Sequence, residues 1–303
     1  MNRAWNIIWR VAAALALPGL VIGAIGFMLG GPQTVLWTRQ GPKVVPVHDT
    51  HIDEQSLDAF TAIDVATATM SVKIIAGDHF GLKVDAANTY CVVNWSDSDG
   101  TLKLTEKAPD NGFGIGFISA SQHGTAVVTV PAAASPVKMS STTGNVTISA
   151  PAGVVNAETS TGSIFVTGAS DSLTLQTVTG SLQVDGPVTG AVSARSGTGN
   201  VDINGPSSSV QVDTSTGDVA ISGQTKSIHV QTSTGDTTIS QSTSWATTSY
   251  QLATSTGRYV LKGAGAPQPP SNHSPLRGPV EDTPSLDLTV HTSTGNISVN
   301  LGD

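Results

Sequence analysis

The chain has 303 residues, with 14 Lys and Arg against 22 Asp and Glu, a formal charge of −8. That acidic balance excludes the basic face that binding a nucleic-acid backbone requires. Charged residues make up only 12% and aromatics 5% while Gly, Ser, Thr and Val dominate, which suits short strands and many turns and disfavours long helices.

Residues 11–31 (VAAALALPGLVIGAIGFMLGG) contain no charge. As a helix they would extend about 31 Å at ~1.5 Å per residue, the thickness of a hydrocarbon core. Trp5, Trp9 and Trp37 flank the run as an aromatic belt would, and Pro18 and the glycines are tolerated in membrane helices. The run exceeds a usual signal-peptide core and no A-x-A site follows, so one uncleaved transmembrane helix is expected. Arg3 and Arg10 precede it while Arg39 and Lys43 follow. With the N-terminal amine, this favours residues 1–10 in the cytoplasm and the bulk of the chain outside the cell membrane.

Residues 32–56 mix Pro, Gly and charge without either hydrophobic period and read as a linker. They contain the densest group of possible metal ligands, His48, Asp49, His51, Asp53 and Glu54. In a linker a metal would have to order the segment, so a solvated hinge is expected.

Residues 57–133 form an irregular β-region. Alternation appears at Ala62–Val65, Val72–Ile75, Leu82–Val84, Cys91–Val93, Leu102–Leu104 and Ala126–Val130, and Pro131 closes the segment. Cys91 is the only cysteine, so no internal disulfide forms, and its apolar surroundings predict a buried thiol. The run Asn111–Phe117 (NGFGIGF) lacks the strand-then-helix setting of a phosphate loop and reads as a plain loop.

Residues 134–303 are repetitive. Thr-Gly pairs fall at Gly144, Gly162, Gly180, Gly199, Gly217, Gly235, Gly257 and Gly295, at intervals of 18, 18, 19, 18, 18, 22 and 38. Relative to each glycine, positions −7, −5, +2 and +4 are apolar, with Thr237 the one exception. This predicts an all-β fold, a β-solenoid of eight coils of about 18 residues with two short strands per coil joined by a turn at the glycine. Position −1 is always Thr and −3 always Ser or Thr. Their hydroxyls are expected to dress the corner and are not read as catalytic serines.

The +1 positions place Asn200, Asp218, Asp236 and Arg258 on successive coils. Asp218 and Asp236 are the candidate cation ligands, against the reading that Asp and Asn after Gly are ordinary turn residues. No Ser/His/Asp order supports catalysis, and no cofactor motif is present. Residues 263–285 are a Pro-rich insertion, either a functional protrusion or a mobile tether. The last coil is expected to present an open edge through which copies of the chain could pair.

The repeated Thr-Ser-Thr-Gly-x-Ile/Val-x-Ile/Val runs at 159–166, 214–221, 232–239 and 292–299 resemble the bacterial "putative adhesin" family of β-strand repeat proteins, a domain of unknown function. The resemblance extends to Phe60–Val65, Val72–Asp78 and Thr129–Pro131, about residues 57–303 in all. It implies a surface-exposed β-solenoid, in some relatives linked to cell-envelope stress systems. The expected function is a membrane-anchored surface binding or scaffold protein whose partner is an envelope protein or a cell-wall glycan. The alternatives are an envelope-stress sensor and a carbohydrate-active enzyme on a solenoid.

Overall fold

The computed structural model describes residues 34–38, 41–45, 48–89, 91–107, 113–114, 124–270, 274–278 and 284–302. The segment 11–31 expected to cross the membrane lies outside them, as does 111–117 apart from Phe113–Gly114. No helix among the described residues is long and apolar enough to cross a membrane.

The repeat folds as the spacing predicts, with one difference in strand length. In the Gly162 coil a long strand, Ala152–Thr161, precedes the glycine and a three-residue strand, Ile164–Val166, follows it. The long strand persists because alternation continues past the two apolar positions. Val155, Ala157 and Thr159 point inward while Val154, Asn156, Glu158 and Ser160 point out. Long strands stack in parallel into one twelve-stranded sheet and short strands into another. Register is strict, with Val155 opposite Val137 on one side and Leu173 on the other. Inward residues from both sheets form one continuous core from Phe60 to Leu301. Burying each Val, Leu or Ile there contributes ~1.5–3 kcal/mol, and only neighbouring coils supply the cover.

The corner explains the glycine. At Gly217 φ is +145°, and a Cβ added there would run into the carbonyl oxygen of Gly199 one coil below. The same clash recurs at Gly162, Gly180, Gly199, Gly235 and Gly295, each against the corner carbonyl beneath it. Two hydrogen-bond ladders flank this column. The −3 hydroxyl is buried inside the corner, and in five coils it donates to the corner carbonyl below, as Thr159 does to Gly144 (3.3 Å), Thr177 to Gly162 (3.1 Å) and Thr254 to Gly295 (2.9 Å), while those of Ser141, Thr214 and Thr232 are buried without a partner among the described residues. The −1 Thr faces solvent.

Two further coils sit in the irregular region, making ten. Strands Ala62–Thr67 and Ser71–Ala76 stack beneath the Gly144 coil, with Met70 at the corner. Strands Thr101–Lys107 and Thr125–Val130 stack beneath those in turn. Strands Val92–Ser98 and Gly81–Thr89 close that end antiparallel, and His48–Ser56 adds antiparallel to Gly81–Thr89. The stretch 32–56, read as linker, therefore carries strands Thr34–Thr38, Gly41–Val45 and His48–Ser56. In the last of these the edge pairing, and not a hydrophobic period, makes the strand, so it leaves no apolar signal in the sequence.

At both ends the order in space departs from the order in the chain. The coil containing Glu106 lies outside the earlier Met70 coil. At the other end strands Leu286–Thr294 and Ile297–Leu301, the last in the chain, lie between the Gly235 coil and the Gly257 coil. The expected open edge at the final coil is thus replaced by an interior coil paired on both sides, and pairing of copies through it is excluded by occupancy. The 38-residue interval before Gly295 supplies the chain needed to step back over the Gly257 coil. The described part of the Pro-rich insertion packs there. Leu276–Arg277 pairs antiparallel with Gln251–Leu252, and Tyr259 Oη donates to the Ser274 carbonyl (3.2 Å).

Two outcomes follow. Gly217→Ala should lower the unfolding free energy measured in urea by at least ~1–3 kcal/mol, while Ser215→Ala two residues away stays within about 0.5 kcal/mol of the parent. Truncation after residue 284 removes Leu288, Val290, Ile297 and Val299, uncovers Ile228, Val230 and Ile239 of the Gly235 coil and strands the Gly257 coil, so loss of cooperative unfolding by circular dichroism is expected. A truncated chain as stable as the parent would place the final coil at an end.

Candidate functional site

The polar groups divide into those consumed by the fold and those it leaves over. The +1 ladder belongs to the first set. Each side-chain oxygen accepts the backbone N–H of the +1 residue one coil up: Asn145 from Ser163 (2.8 Å), Asn200 from Asp218 (3.0 Å), Asp218 from Asp236 (2.8 Å) and Asp236 from Asn296 (2.7 Å). Asn296 also donates its amide to both Asp236 oxygens at 3.2 Å, and its own oxygen accepts from the Arg258 amide at 3.0 Å. Asp218 and Asp236 are adjacent, as the spacing predicts. Arg258 is not next to Asp236, because the inserted final coil puts Asn296 between them.

A second acidic group lies on the outer face of the short strands. Asp185 accepts from Gln183 Nε2 (2.7 Å) and Asn204 Nδ2 (2.8 Å), and Asn204 Oδ1 accepts from the Ser222 hydroxyl (3.0 Å). Burial, with Asp185 and Asp218 adding repulsion, pushes the half-buried Asp202 carboxyl up from its ordinary value. The histidine and carboxylate cluster at 48–54 is spread along an edge strand. His51 pairs with Asp53 at 2.9 Å, and His79 with Glu54 at 3.2 Å and Asp78 at 2.6 Å. Among the described residues no three His, Cys, Asp or Glu are placed to hold a metal ion.

Among the described residues one carboxylate is deeply buried, and the sequence did not single it out. Glu106 is 5% exposed, and its Oε2 accepts from the amides of Ala68 (2.9 Å), Thr69 (2.8 Å) and Met70 (2.9 Å). The Thr69 hydroxyl donates to Oε1 at 2.7 Å, and the buried Cys91 thiol also bonds to the carboxylate. Register with Thr67 and Ser141 puts Glu106 at the inward −3 position of the outermost coil. Elsewhere that position holds a hydroxyl, which in five of the coils donates to the coil below. Here no further coil of the repeat lies below, and a carboxylate reaches up to cap the next turn. Burial raises its pKa, but the three amides, the hydroxyl and the thiol outweigh this and hold it below the usual carboxylate range. At the opposite end Trp245 fills the corresponding role. It is buried, donates from Nε1 to the Lys262 carbonyl (2.8 Å) and meets Tyr250 edge-on at 5.3 Å.

The groups left over converge on the outer face of the long strands. A groove of about 430 Å3 is lined by Gln176, Val178, Arg195, Gly197, Asp213 and Gln231 among others. That volume falls within the range of small-ligand sites. Gly197 occupies a −2 position where every other repeat carries a side chain, which opens the floor. Val178 is 58% exposed, the most exposed of the large apolar residues described. Arg195 Nε donates to Asp213 at 3.3 Å, so the pair is neutral overall, and the terminal guanidinium nitrogens have no partner among the described residues. Gln176 and Gln231 likewise make no side-chain hydrogen bond there. The sequence signals for this site were a Gly and a Val standing at −2 where Ser is the rule.

Because Glu106 titrates lower when folded, its contribution is complete above the unfolded carboxylate value, near 4.3, and is lost as pH falls through the folded one. Glu106→Gln should therefore cost about 1–3 kcal/mol at neutral pH. The gap to the parent should narrow below about pH 4 in a series of urea titrations.

No curated protein matches the chain. Among solved structures, one named a "putative adhesin" from Bacteroides fragilis is 13% identical, with 83% of this chain and 97% of that one covered and a TM-score of 0.49. A "putative lipid binding protein" from Parabacteroides distasonis is 12% identical over 86% and 98%, with a TM-score of 0.48. A "putative adhesin" from Parabacteroides merdae is 11% identical over 83% and 95%, with a TM-score of 0.40. The family model described as Toastrack DUF4097 matches residues 60–300, from the Phe60 that opens the core to the last strand, and the chain belongs to that family.

Proposed function

We propose that the protein is a membrane-anchored, extracytoplasmic scaffold that binds a surface partner on the outer face of its long-strand sheet. The observation that carries this reading is the division of polar groups. Asp218, Asp236, Asn200 and Asn296 are engaged with turn amides, whereas the terminal guanidinium nitrogens of Arg195 and the amides of Gln176 and Gln231 have no partner among the described residues and lie beside an exposed valine. A neutral groove of amides, one guanidinium and an apolar spot suits a hydroxyl-rich or amide-rich chain better than a polyanion. Rungs repeat at ~4.8 Å along the stack, so an extended polymer lying parallel to the axis would meet equivalent positions in succession. Residues 11–31 supply the anchor in this reading.

Full-length protein in detergent should retain a component of either membrane extract or cell-wall material, and Arg195→Ala should weaken that retention roughly tenfold, about 1.4 kcal/mol. Retention of nothing from either source, or equal retention by the variant, removes the groove from consideration. Thermal unfolding of Arg195→Ala is expected to match the parent, because the side chain is exposed.

A further inference from the structure

The groove on the long-strand face runs along the stack, and its chemistry repeats rung by rung. Gln176, Arg195, Asp213 and Gln231 stand in register on consecutive coils and form its wall. Val178 and Gly197, two residues further along their strands, share that face and begin the floor, which the serines at −2 continue. Gly197 sits close on the coil below, where an added Cβ would lie 2.6 Å from the Val178 carbonyl oxygen. The result is a depression bounded on one side by the exposed Val178 side chain.

Donors and acceptors stand together along the wall. Arg195 Nε (3.3 Å) and Gln211 Nε2 (3.2 Å) both donate to Asp213 Oδ2, which leaves Oδ1 without a partner among the described residues. On the neighbouring rung the terminal guanidinium nitrogens of Arg195 offer donors. A hydroxyl both donates and accepts, so two hydroxyls on adjacent ring carbons satisfy the guanidinium and Oδ1 together. A phosphate or carboxylate would meet the guanidinium but be repelled by the Asp213 carboxylate beside it. Gln176 and Val178 lie two positions apart on the same face of one strand, so an amide partner and an apolar contact stand side by side. An acetamido substituent joins those two chemistries, an amide and a methyl, in one group.

Length separates a glycan from a peptide on this track. Rungs lie ~4.8 Å apart, so the four coils that line the groove span about 14 Å. A pyranose ring and its bridging oxygen advance an extended chain by about one rung, so each sugar meets a fresh wall residue. An extended peptide returns to the same face only every ~6.6 Å and falls out of step with the rungs. A peptide also draws affinity from main-chain bonds to a sheet edge, which a sheet face does not offer. We propose that the groove binds an uncharged linear glycan that lies parallel to the stack axis and bears acetamido groups, one of which seats its methyl on Val178 over Gly197. This rests on the reading of the groove as the binding surface.

The test titrates the full chain, in a detergent without a sugar headgroup, with β-linked linear oligomers of N-acetylglucosamine and of glucose, from a single unit to five, by calorimetry. Affinity for the acetylated series should rise with each unit up to about four, one for each coil of the groove. At equal length it should exceed that for the glucose series roughly fivefold, the effect of covering one methyl group. Val178→Ser installs the residue usual at −2, so it should leave the thermal midpoint in place and erase that preference. Val178→Thr, which matches Thr142 at −2 of the Gly144 coil, repeats the comparison. Equal affinity for one unit and for five overturns the axial arrangement, and a preference that survives both Val178 variants overturns the acetamido seat. If neither series binds while Arg195→Ala still weakens retention of the envelope component, the glycan is overturned and the binding surface stands. If Arg195→Ala leaves retention unchanged, the surface falls and the glycan with it.

Discussion

The close approach of one corner carbonyl to the glycine above it governs the rest of the fold. A Cβ anywhere in that column would push coils apart, and the long strands would then lose register together, because each pairs with both neighbours over its whole length. With the corners in contact, the −3 hydroxyl is brought within reach of the carbonyl below and the +1 oxygen within reach of the amide above. Each coil therefore meets the next through apolar contacts, joined in most coils by a rung of the donor or the acceptor ladder, all set by one backbone distance. The ladders carry few kilocalories individually; their effect is to remove the alternative registers that a Val-rich parallel sheet would otherwise sample.

A stack built this way has two ends that the repeat itself cannot finish. Both are solved by chain order. The outermost coil at each end is not the terminal one in sequence, so the first and last coils in chain order lie inside it, paired on both sides. The exposed ends then receive residues found nowhere in the regular stack. Glu106 replaces a hydroxyl and gathers three amides, and Trp245, Tyr250 and Tyr259 cover the other end. Antiparallel edge strands with charged residues, such as His48–Ser56, complete the blunting.

The regular part of this architecture was legible because its information is local. Four apolar offsets and one glycine per 18 residues specify coil, register and core without reference to anything distant, and every one of those apolar positions is buried except Tyr250 and Leu261. Those two lie in the Gly257 coil, and their partial exposure follows from its place at the end. Thr237, the one polar residue at a core offset, is fully buried all the same. What the sequence did not reveal depends on pairing between distant segments. Nothing within 32–56 indicates that His48–Ser56 is a strand, since an edge partner makes it one. Nothing near Gly295 shows that its coil slides under the one before it. The Met70 and Glu106 coils escaped the count because they lack the Thr-Gly corner that defined it.

The same distinction locates the candidate site. A side chain that recurs at one offset in every coil is explained by stacking, and Asp218 and Asp236 belong to that class once their oxygens are seen on turn amides. A residue that breaks its column without a stacking role is the informative one. Gly197 and Val178 break the −2 column, and Arg195 is a cation among polar neighbours at −4. They lie on adjacent coils, so two local departures and one cation become a single concave surface only because the repeat places them a rung apart. In a solenoid the regular positions build the ruler, and the binding surface is written in the exceptions at neighbouring marks.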